Sequence, residues 1–385
     1  MPPEPPWRKI FNALSSLKLT LVYLALLMAL TVICTLAQVP LGTHAAVDRT
    51  IKTFLVWWQP AGASIRIPVF PGGGLIGALL FANLALALAR FLRLEWSRRK
   101  IGLWITHLGL ALLFLGEFAT SFFQVESQMP IELGQTRNFT EDHRHLELAV
   151  AASVDAAHDS VTSIPESLLR RAGELSHPSL PFKLRIKRYY ENSSINMRGP
   201  SDPPAEATSG VGANLIVRPA PPVTGDDQQN AAAVLLEAVA DGRSLGSFWI
   251  SNALGAPQGL LLDGRDYKIS LRSRRYYLPF ALTLKEFHHD RYAGTDIPKN
   301  FSSLVRLSDP GRGEERDALI SMNNPLRYGG KAFYQASFGK NDTLSVFQVM
   351  QNPGWLIPYL SCILVALGML LHFGLKLAGA MGGSR

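Results

Sequence analysis

The sequence has little cysteine. Only Cys34 and Cys362 occur in 385 residues, and both lie in long apolar runs. They form no CxxC, no CxxCH and no zinc-type spacing, so the chain itself is neither a c-type cytochrome nor a dithiol oxidoreductase. A P-loop, a GxGxxG turn after a strand and a defensible Ser-His-Asp order are also absent. These absences exclude the common nucleotide-binding and hydrolase motifs.

Acidic residues are fewer than basic ones. The chain has 30 Asp and Glu against 38 Lys and Arg, a net charge of +8, 47% hydrophobic residues and a mean hydropathy of +0.11. Much of the basic excess lies beside the apolar runs, as the positive-inside rule expects, so nucleic-acid binding is not predicted. The composition predicts a mixture of membrane spans and one sizeable polar domain.

Four apolar runs are long enough to cross a bilayer. We predict transmembrane helices at 14–36, 75–92, 101–122 and 354–375. The first run is longer than the apolar part of a signal peptide and no A-x-A site follows, so we expect it to remain uncleaved. The densest basic cluster lies around the loop between the second and third runs and consists of Arg90, Arg93, Arg98, Arg99 and Lys100.

The positive-inside rule puts this cluster in the cytoplasm, which fixes the expected topology. We expect both termini in the cytoplasm and an inner-membrane protein, if the source is a Gram-negative bacterium. The segments between the spans are then a cytoplasmic tail at 1–13, a periplasmic loop at 37–74, a basic cytoplasmic loop at 93–100, a periplasmic domain at 123–353 and a cytoplasmic tail at 376–385.

The sequence of the large polar segment 123–353 predicts a β-rich domain. Apolar and polar residues alternate at 182–187 and at 267–271, which is typical of half-buried strands. Further short runs suggest strands at 213–217, 233–239, 281–284, 303–307 and 344–349. Segments 155–180 and 198–230 are rich in turn residues and are predicted as loops or insertions. The expected fold is four membrane helices plus a β-rich, sandwich-like extracytoplasmic domain.

Two histidines lie inside apolar runs. His107 is in the third run, and ionisable groups in lipid are costly, so it is a functional candidate; the alternative is a hydrogen bond to a neighbouring helix. His372 enters the fourth run from the same side, and two imidazoles at similar depth could hold one haem iron axially. The alternative for His372 is an interfacial anchor or a favourable charge at a helix end. Glu117, near the outer end of the third run, faces elsewhere on the helix and is read as an interface contact.

The histidines outside the membrane give weak metal signals. His143 and His145 would share one face of a strand, but surface histidines are the commoner explanation. His288 and His289 would point to opposite faces of a strand and would chelate poorly. No metal site is predicted from these pairs.

The C-terminal third carries recognisable strings. They are YAGTDIPKNFSS at 292–303, SMNNPLRYGG at 321–330, FYQAS at 333–337 and NPG at 352–354, and the N-terminal part adds LSSLKL at 14–19. With these strings in this order the chain resembles the ResB family, also called CcsB. The resemblance spans nearly the whole chain except 155–180 and 198–230. Read as residues, the strings are mainly turns and core, although Phe333, Tyr334 and Phe338 could also form a client surface.

The resemblance implies a role in the system II machinery of cytochrome c biogenesis. Such proteins pair with a ResC/CcsA-type membrane protein that bears a tryptophan-rich haem-binding loop. The pair moves haem outward and joins it to the two thiols of CxxCH in apocytochrome c. This chain has no tryptophan-rich loop, so it would be non-catalytic alone and part of a haem lyase complex. The implied cofactor is haem b, shared with the partner.

The same resemblance assigns a role to one residue. The family's transmembrane haem ligand maps by position to His107, which implies axial ligation of the haem iron, with the second ligand from the partner. Two other functions stay open. A membrane haem redox protein usually needs four histidines on two helices, whereas a non-haem periplasmic assembly or scaffold protein would not need His107.

Overall fold

A computed structural model describes most of the chain. The described residues are 5–60, 65–94, 100–155, 158–225, 228–295 and 297–382. Arg98 and Arg99 of the predicted basic loop lie outside them, as do the extreme ends of both predicted tails. The chain forms two compact units. The helical unit holds the chain up to Gln124, the short segment 224–228 and the chain from Asn352 onward, and the β-rich unit holds the rest.

The helices of the described residues fall into long and short classes. They are α1 (Pro6–Leu14), α2 (Leu17–Leu41), α3 (Thr43–Thr50), α4 (Gly73–Leu94), α5 (Ile101–Phe123), α6 (Glu166–Leu169) and α7 (Ile357–Gly382). α2, α4, α5 and α7 are each long and apolar enough to cross a membrane. The predicted set of four apolar helices plus a β-rich domain is therefore confirmed.

Helix α2 begins and ends later than the predicted span 14–36. The side chain of Ser16 accepts a hydrogen bond from the backbone N–H of Leu19, at 3.4 Å, so Ser16 caps the helix and α2 starts at Leu17. The helix continues to Leu41, where Gly42 adopts a φ of 76°. This left-handed conformation suits glycine and ends the helix.

Helix α7 also differs from its predicted bounds of 354–375. The side-chain oxygen of Asn352 accepts a hydrogen bond from the backbone N–H of Gly354 at 2.8 Å and forms a turn, so the helix begins only at Ile357. It then runs to Gly382. His372 consequently lies ten residues before the end of the helix, not within one turn of it. A favourable charge at the helix end therefore does not describe His372, whereas its role as an interfacial anchor stays a prediction.

The predicted loop 37–74 contains regular structure. After α3, strands β1 (Leu55–Trp58) and β2 (Ile67–Pro71) form an antiparallel hairpin in which Trp58 pairs with Ile67. A hydrogen bond from the backbone N–H of Gly72 to the carbonyl of Phe54, at 2.9 Å, closes the base of the hairpin. Helix α4 begins at the next residue.

One buried amide joins the first two helices to α4. The Asn83 Nδ2 group donates to the backbone carbonyls of Leu14 at 2.5 Å and Ser16 at 3.3 Å, and its Oδ1 accepts from the Thr20 hydroxyl at 2.6 Å. The Ser16 carbonyl also accepts from the backbone N–H of Thr20 at 3.3 Å, in the first turn of α2. A buried helix break requires such replacement partners, so Asn83 holds this corner in place.

The β-rich unit contains strands β3 to β18. Their bounds are Val125–Glu132, Thr136–Ser153, Asp159–Pro165, Gly173–Leu175, Lys183–Tyr190, Ser193–Met197, Leu215–Pro219, Ala233–Ala240, Arg243–Ser251, Gln258–Leu262, Arg265–Arg291, Pro298–Asp309, Glu314–Ser321, Leu326–Tyr328, Lys331–Gly339 and Leu344–Gln351. Strands β5 and β6 and helix α6 fall in the predicted loop 155–180, and β9 falls in 198–230.

The strands form one large and two small sheets. The large sheet has the path β15-β14-β13-β4-β3-β18-β17-β16, with β12 on β13 and β5 on β4. The second sheet has the order β11-β10-β7-β6, and β8 pairs with β9. All the described strand pairings are antiparallel.

One hydrophobic core lies between the four-stranded sheet and part of the large sheet. On β7, Leu184 and Ile186 are buried while Lys183 and Arg185 are exposed. On β13, residues 267, 269 and 271 are buried in the same core. The alternation predicted from both segments is therefore confirmed. This core gives the sandwich, as side chains of facing sheets interdigitate.

A second core lies along the rest of the large sheet. It contains Phe280 of β13, Phe333 of β17 and Phe347 of β18, all nearly or fully buried. Beside it, the buried side chains of Ser303, Gln335 and Ser345 hydrogen-bond to one another at 2.7 to 2.9 Å. Three strands are thus joined by a satisfied polar network.

Candidate functional site

The strongest candidate site lies where α5 packs against α7. α5 carries glycines at every seventh position, Gly102, Gly109 and Gly116. A Cβ on Gly102 would lie 2.3 Å from the backbone nitrogen of His372, and one on Gly116 would lie 2.7 Å from a side-chain carbon of Ile357. The two backbones therefore approach as closely as small residues allow.

α7 contributes its own glycine to this contact. A Cβ on Gly368 would lie 2.5 Å from both the backbone nitrogen and the hydroxyl of Thr106. Toward the other end of α5, the Asn352 amide donates to the Thr120 hydroxyl at 3.1 Å. Close packing and this polar contact fix the register of α7 on α5.

His372 is held in this contact by its backbone. Its main chain packs against Gly102, and its ring centre is 5.6 Å from that of Phe373. The Nδ1 atom is buried and has no hydrogen-bond partner among the described residues. A buried ring nitrogen without a partner is energetically unfavourable, which marks His372 as a residue open to a ligand.

His107 is half-buried and lies about one and a half turns beyond Gly102 along α5. Its Nδ1 lies 2.7 Å from the backbone carbonyl of Leu103. A carbonyl oxygen only accepts, so Nδ1 carries the proton and, in the neutral ring, Nε2 carries the lone pair. A ring whose one nitrogen is fixed by a carbonyl presents the other as a metal ligand, and this is the usual arrangement of ligating histidines.

The two histidines belong to different faces of the helix pair. His107 shares a face of α5 with Phe114 and Phe118, whose rings lie 6.5 and 6.2 Å from Phe81 of α4. Gly102, which contacts α7, is five residues from His107 and therefore about 140° away around the helix. His107 is thus on the α4 side of α5 and His372 is on the α7 side.

The other candidate residues do not join this site. Glu117 is exposed on α5. His143 and His145 are both exposed on β4, with His145 bonded to Asp142 at 2.8 Å. Within the described residues, no group of three His, Cys, Asp or Glu side chains is placed to hold a metal.

The pair His288 and His289 splits between the two faces of β13, as predicted. The His288 side chain is 62% exposed, whereas that of His289 is 4% exposed and its Nδ1 lies 3.1 Å from a carboxylate oxygen of Asp342. Phe338 of β17 packs on the buried ring, with the ring centres 4.3 Å apart. Phe338 therefore takes part in the side-chain packing of the β-rich unit.

The recognisable strings are parts of the fold. In SMNNPLRYGG, Asn323 and Gly329 have positive φ angles of 63° and 57°, as turns require. The Tyr328 hydroxyl lies 2.9 Å from Asp309 and 3.0 Å from Glu314. Desolvation, then these two carboxylates, raises the pKa of Tyr328 to about 12. In FYQAS, Phe333 and Gln335 are buried.

Sequence reasoning missed the glycine spacing on α5. Gly102, Gly109 and Gly116 are visible as a heptad repeat of small residues, a pattern that marks close helix contacts in membranes. Hydropathy alone gives no signal of it, because glycine changes the mean of an apolar run very little.

Comparison with known proteins finds the same family that the strings suggested. The model of the ResB-like family matches residues 258–346, from β12 into β18. Protein NrfI of Wolinella succinogenes is 35% identical over 111 residues, which is 29% of this chain and 12% of NrfI. The chain therefore matches about an eighth of the length of that relative. Over this segment of its β-rich unit, the chain is similar to the ResB-like family.

Proposed function

We propose that the chain is the ResB-type membrane subunit of a system II cytochrome c synthase. The observation that carries this proposal is the family match over 258–346, which contains three of the five strings, those at 292–303, 321–330 and 333–337. In this role the chain acts with a ResC/CcsA-type partner in haem export and in covalent attachment of haem to the CxxCH thiols of apocytochrome c. Its own two cysteines lie in helices α2 and α7, so it forms no thioether itself.

The proposed orientation follows from charge. With the basic cluster near Arg90 and Lys100 in the cytoplasm, both termini are cytoplasmic and the β-rich unit is periplasmic, in the inner membrane. This orientation would place the β-rich unit in the compartment where apocytochromes c receive haem. It predicts that the N terminus and the loop around Lys100 are protected from protease added outside intact cells.

His107 is the proposed axial ligand of haem b. Haem supplies an iron that takes an imidazole on its axis and vinyl groups that react with thiols. The Leu103 carbonyl holds the proton of His107 at Nδ1, which aims the Nε2 lone pair away from the backbone. The Nε2 atom is therefore the ring nitrogen that would bind the iron.

His372 is the second proposed cofactor-binding residue, and its buried, unpartnered Nδ1 supports this. Because it lies on the α7 face of α5, we propose that the second axial ligand of the His107 haem comes from the partner. His372 would then contact haem at a separate position or bear on haem entry.

A visible absorption spectrum tests the proposal. The chain is purified with its ResC/CcsA-type partner as wild type, His107→Ala, His372→Ala and, as a control on the same helix, Leu108→Ala. Leu108 is half-exposed and adjacent to His107. We expect a bis-histidine b-type spectrum that His107→Ala weakens and added imidazole restores, whereas Leu108→Ala leaves it intact.

The same variants are scored for maturation of a reporter cytochrome c. Loss of maturation in His107→Ala, with rescue by imidazole, supports ligation. Full haem occupancy and full maturation in His107→Ala would refute the ligand role. The chain would then be better described as a non-haem scaffold for the partner and the apocytochrome.

A further inference from the structure

The β1–β2 hairpin exposes apolar side chains on both of its faces. Trp57, Trp58 and Val69 are each about half exposed, as are several of their neighbours, and the set is Phe54, Trp57, Trp58, Ile65, Ile67 and Val69. Among residues 54–60 and 65–71 the one charged side chain is Arg66, whose Nε donates to Gln59 at 3.3 Å. Such a surface is unusual in water and calls for an apolar covering.

The base of the hairpin is fixed to the first turn of α4. A Cβ on Gly72 would lie 2.1 Å from the carbonyl oxygen of Thr53, and one on Gly73 would lie 2.5 Å from that of Ile51. The backbone N–H of Gly74 donates to the Thr53 carbonyl at 3.0 Å. This close backbone contact leaves the hairpin base little freedom, so the start of α4 sets the position of the base.

Three candidate membrane spans each have one terminus near the start of α4. The contacts of Phe81 with Phe114 and Phe118 put the start of α4 beside the end of α5, and the contact of Gly116 with Ile357 adds the start of α7. Exposed aromatic residues gather at the same end of the helical unit, namely Phe122, Phe123, Trp355 and Tyr359. Aromatic residues, above all Trp and Tyr, concentrate at the membrane–water interface, so this end is one edge of the bilayer.

The dimensions decide how the hairpin lies at that edge. The headgroup layer is roughly 5–7 Å thick on each side of the hydrocarbon core. Trp58 is three residues beyond Leu55, about 10 Å from the hairpin base at roughly 3.3 Å per residue. An upright hairpin would lift Trp58 out of the headgroup layer, whereas a hairpin lying flat would keep both tryptophans inside it.

We propose that the β1–β2 hairpin lies along the membrane–water interface, with Trp57 and Trp58 among the phospholipid headgroups. Lipid fits better than a protein partner because both faces of the ribbon are apolar and a docked protein would cover one. The near absence of charge agrees with this, and the hairpin is continuous with the aromatic edge of three spans. Its role would be to anchor the start of α4 laterally.

Site-directed spin labelling tests the proposal with the full chain in phospholipid vesicles. In a Cys34→Ser/Cys362→Ser background, labels are attached to Trp58→Cys and Ile67→Cys. Leu79→Cys, on the exposed side of α4, is the lipid reference, and Glu286→Cys, exposed on β13, is the water reference. Power saturation with oxygen and with a water-soluble nickel chelate reports the depth of each label.

We expect labels at positions 58 and 67 to favour oxygen over the nickel chelate, with depths between those of the two references. Nickel access equal to that at Glu286→Cys would overturn the proposal, since the hairpin would stand in water. Low access to both reagents would also overturn it, because the hairpin would then be covered by protein. Neither result bears on haem binding, so the proposed function is tested separately.

A second measurement avoids cysteine variants. Brominated lipids quench nearby tryptophans, and the wild-type chain is compared with the conservative variant Trp57→Phe/Trp58→Phe. We expect the quenched fraction of the fluorescence to fall in the variant. An unchanged quenched intensity would mean that neither tryptophan touches lipid. The Trp249 side chain, buried in the β-rich unit, supplies an unquenched internal reference.

Discussion

The packing inside the β-rich unit differs in kind from the packing inside the helical unit. In the β-rich unit, large side chains such as Phe333 and Trp249 are buried in hydrophobic cores. In the helical unit, α5 and α7 meet at Gly102 and Gly109, where there is little side chain to bury. Water drives the first kind of packing, whereas between helices in lipid the gain comes from close van der Waals contact.

Buried polar groups also differ between the units. The β-rich unit uses a closed network in which Ser303 of β14 bonds to Gln335 and Ser345 of the paired strands β17 and β18. The helical unit uses one amide, Asn83, to satisfy backbone carbonyls at a helix break. The comparison teaches that this chain specifies its membrane part with backbone fit and its β-rich part with side-chain fit. Substitutions that damage only one of these two kinds of fit test this difference between the units.

The largest effect is expected from Gly102→Leu. The added side chain would overlap the backbone of His372, which cannot move without shifting all of α7, so we expect a loss well above the roughly 1–3 kcal/mol that overpacking usually costs. The measurement is the thermal stability and yield of the protein in detergent. Gly374→Leu is the matched control, since a Cβ there meets nothing within 4 Å. Equal stability of the two variants would show that close backbone contact is unimportant here.

The next effect is expected from Phe333→Ala in the β-rich unit. Removing a fully buried ring leaves a cavity and costs roughly 3–5 kcal/mol. Thermal unfolding and limited proteolysis of the β-rich unit would report this loss of stability. Met197→Ala, at a 75% exposed residue, is the control. If the ring supplies the core, the helical unit should keep its protease resistance. Stability within the error of the control would argue that Phe333 serves a client surface instead.

The sequence revealed the parts of the fold that depend on periodicity. Alternation at 182–187 identified the buried face of β7 because the side chains of a strand alternate strictly between faces. The four apolar helices followed from length and hydropathy. The ends were less predictable: α2 starts at Leu17 because of one serine cap, and α7 starts at Ile357 because of an asparagine turn. Such local hydrogen bonds leave no trace in hydropathy.

The candidate site was only half visible in the sequence. His107 could be singled out because an ionisable residue in an apolar run is rare. Its tautomer depends on the distance from Nδ1 to the Leu103 carbonyl, and its face depends on how α4 and α7 pack around α5. Pairing it with His372 by depth alone ignored rotation about the helix axis. Depth follows from sequence position, whereas facing depends on the tertiary contacts of Gly102 and Phe114.

A smaller effect is expected from Asn83→Leu. The change removes the Asn83 amide that donates to the carbonyls of Leu14 and Ser16, and interhelical hydrogen bonds of this kind are worth about 1–2 kcal/mol at most in membranes. Thr20→Val removes the hydroxyl contacts to Asn83 Oδ1 and to the Ser16 carbonyl but keeps the Asn83 donor, so it should cost less. Thermal stability in detergent measures both. The reverse order of the two variants would mean that the hydroxyl, not the helix break, is what Asn83 serves.

The smallest effect is a pH dependence at Tyr328 of the β-rich unit. The pKa of its phenol is raised to about 12, so the folded state holds the proton more tightly than the unfolded state, whose tyrosine pKa is near 10. The stability from this group is therefore complete below pH 10 and is lost as the pH rises toward 12. Tyr328→Phe should lower stability at neutral pH, because Asp309 loses a hydrogen-bond donor, yet show a shallower loss above pH 10. Tyr292→Phe, at a 54% exposed tyrosine, is the control for general alkaline unfolding. Parallel stability curves for wild type and Tyr328→Phe above pH 10 would show that the phenol proton is not shared with Asp309 and Glu314 in the folded state.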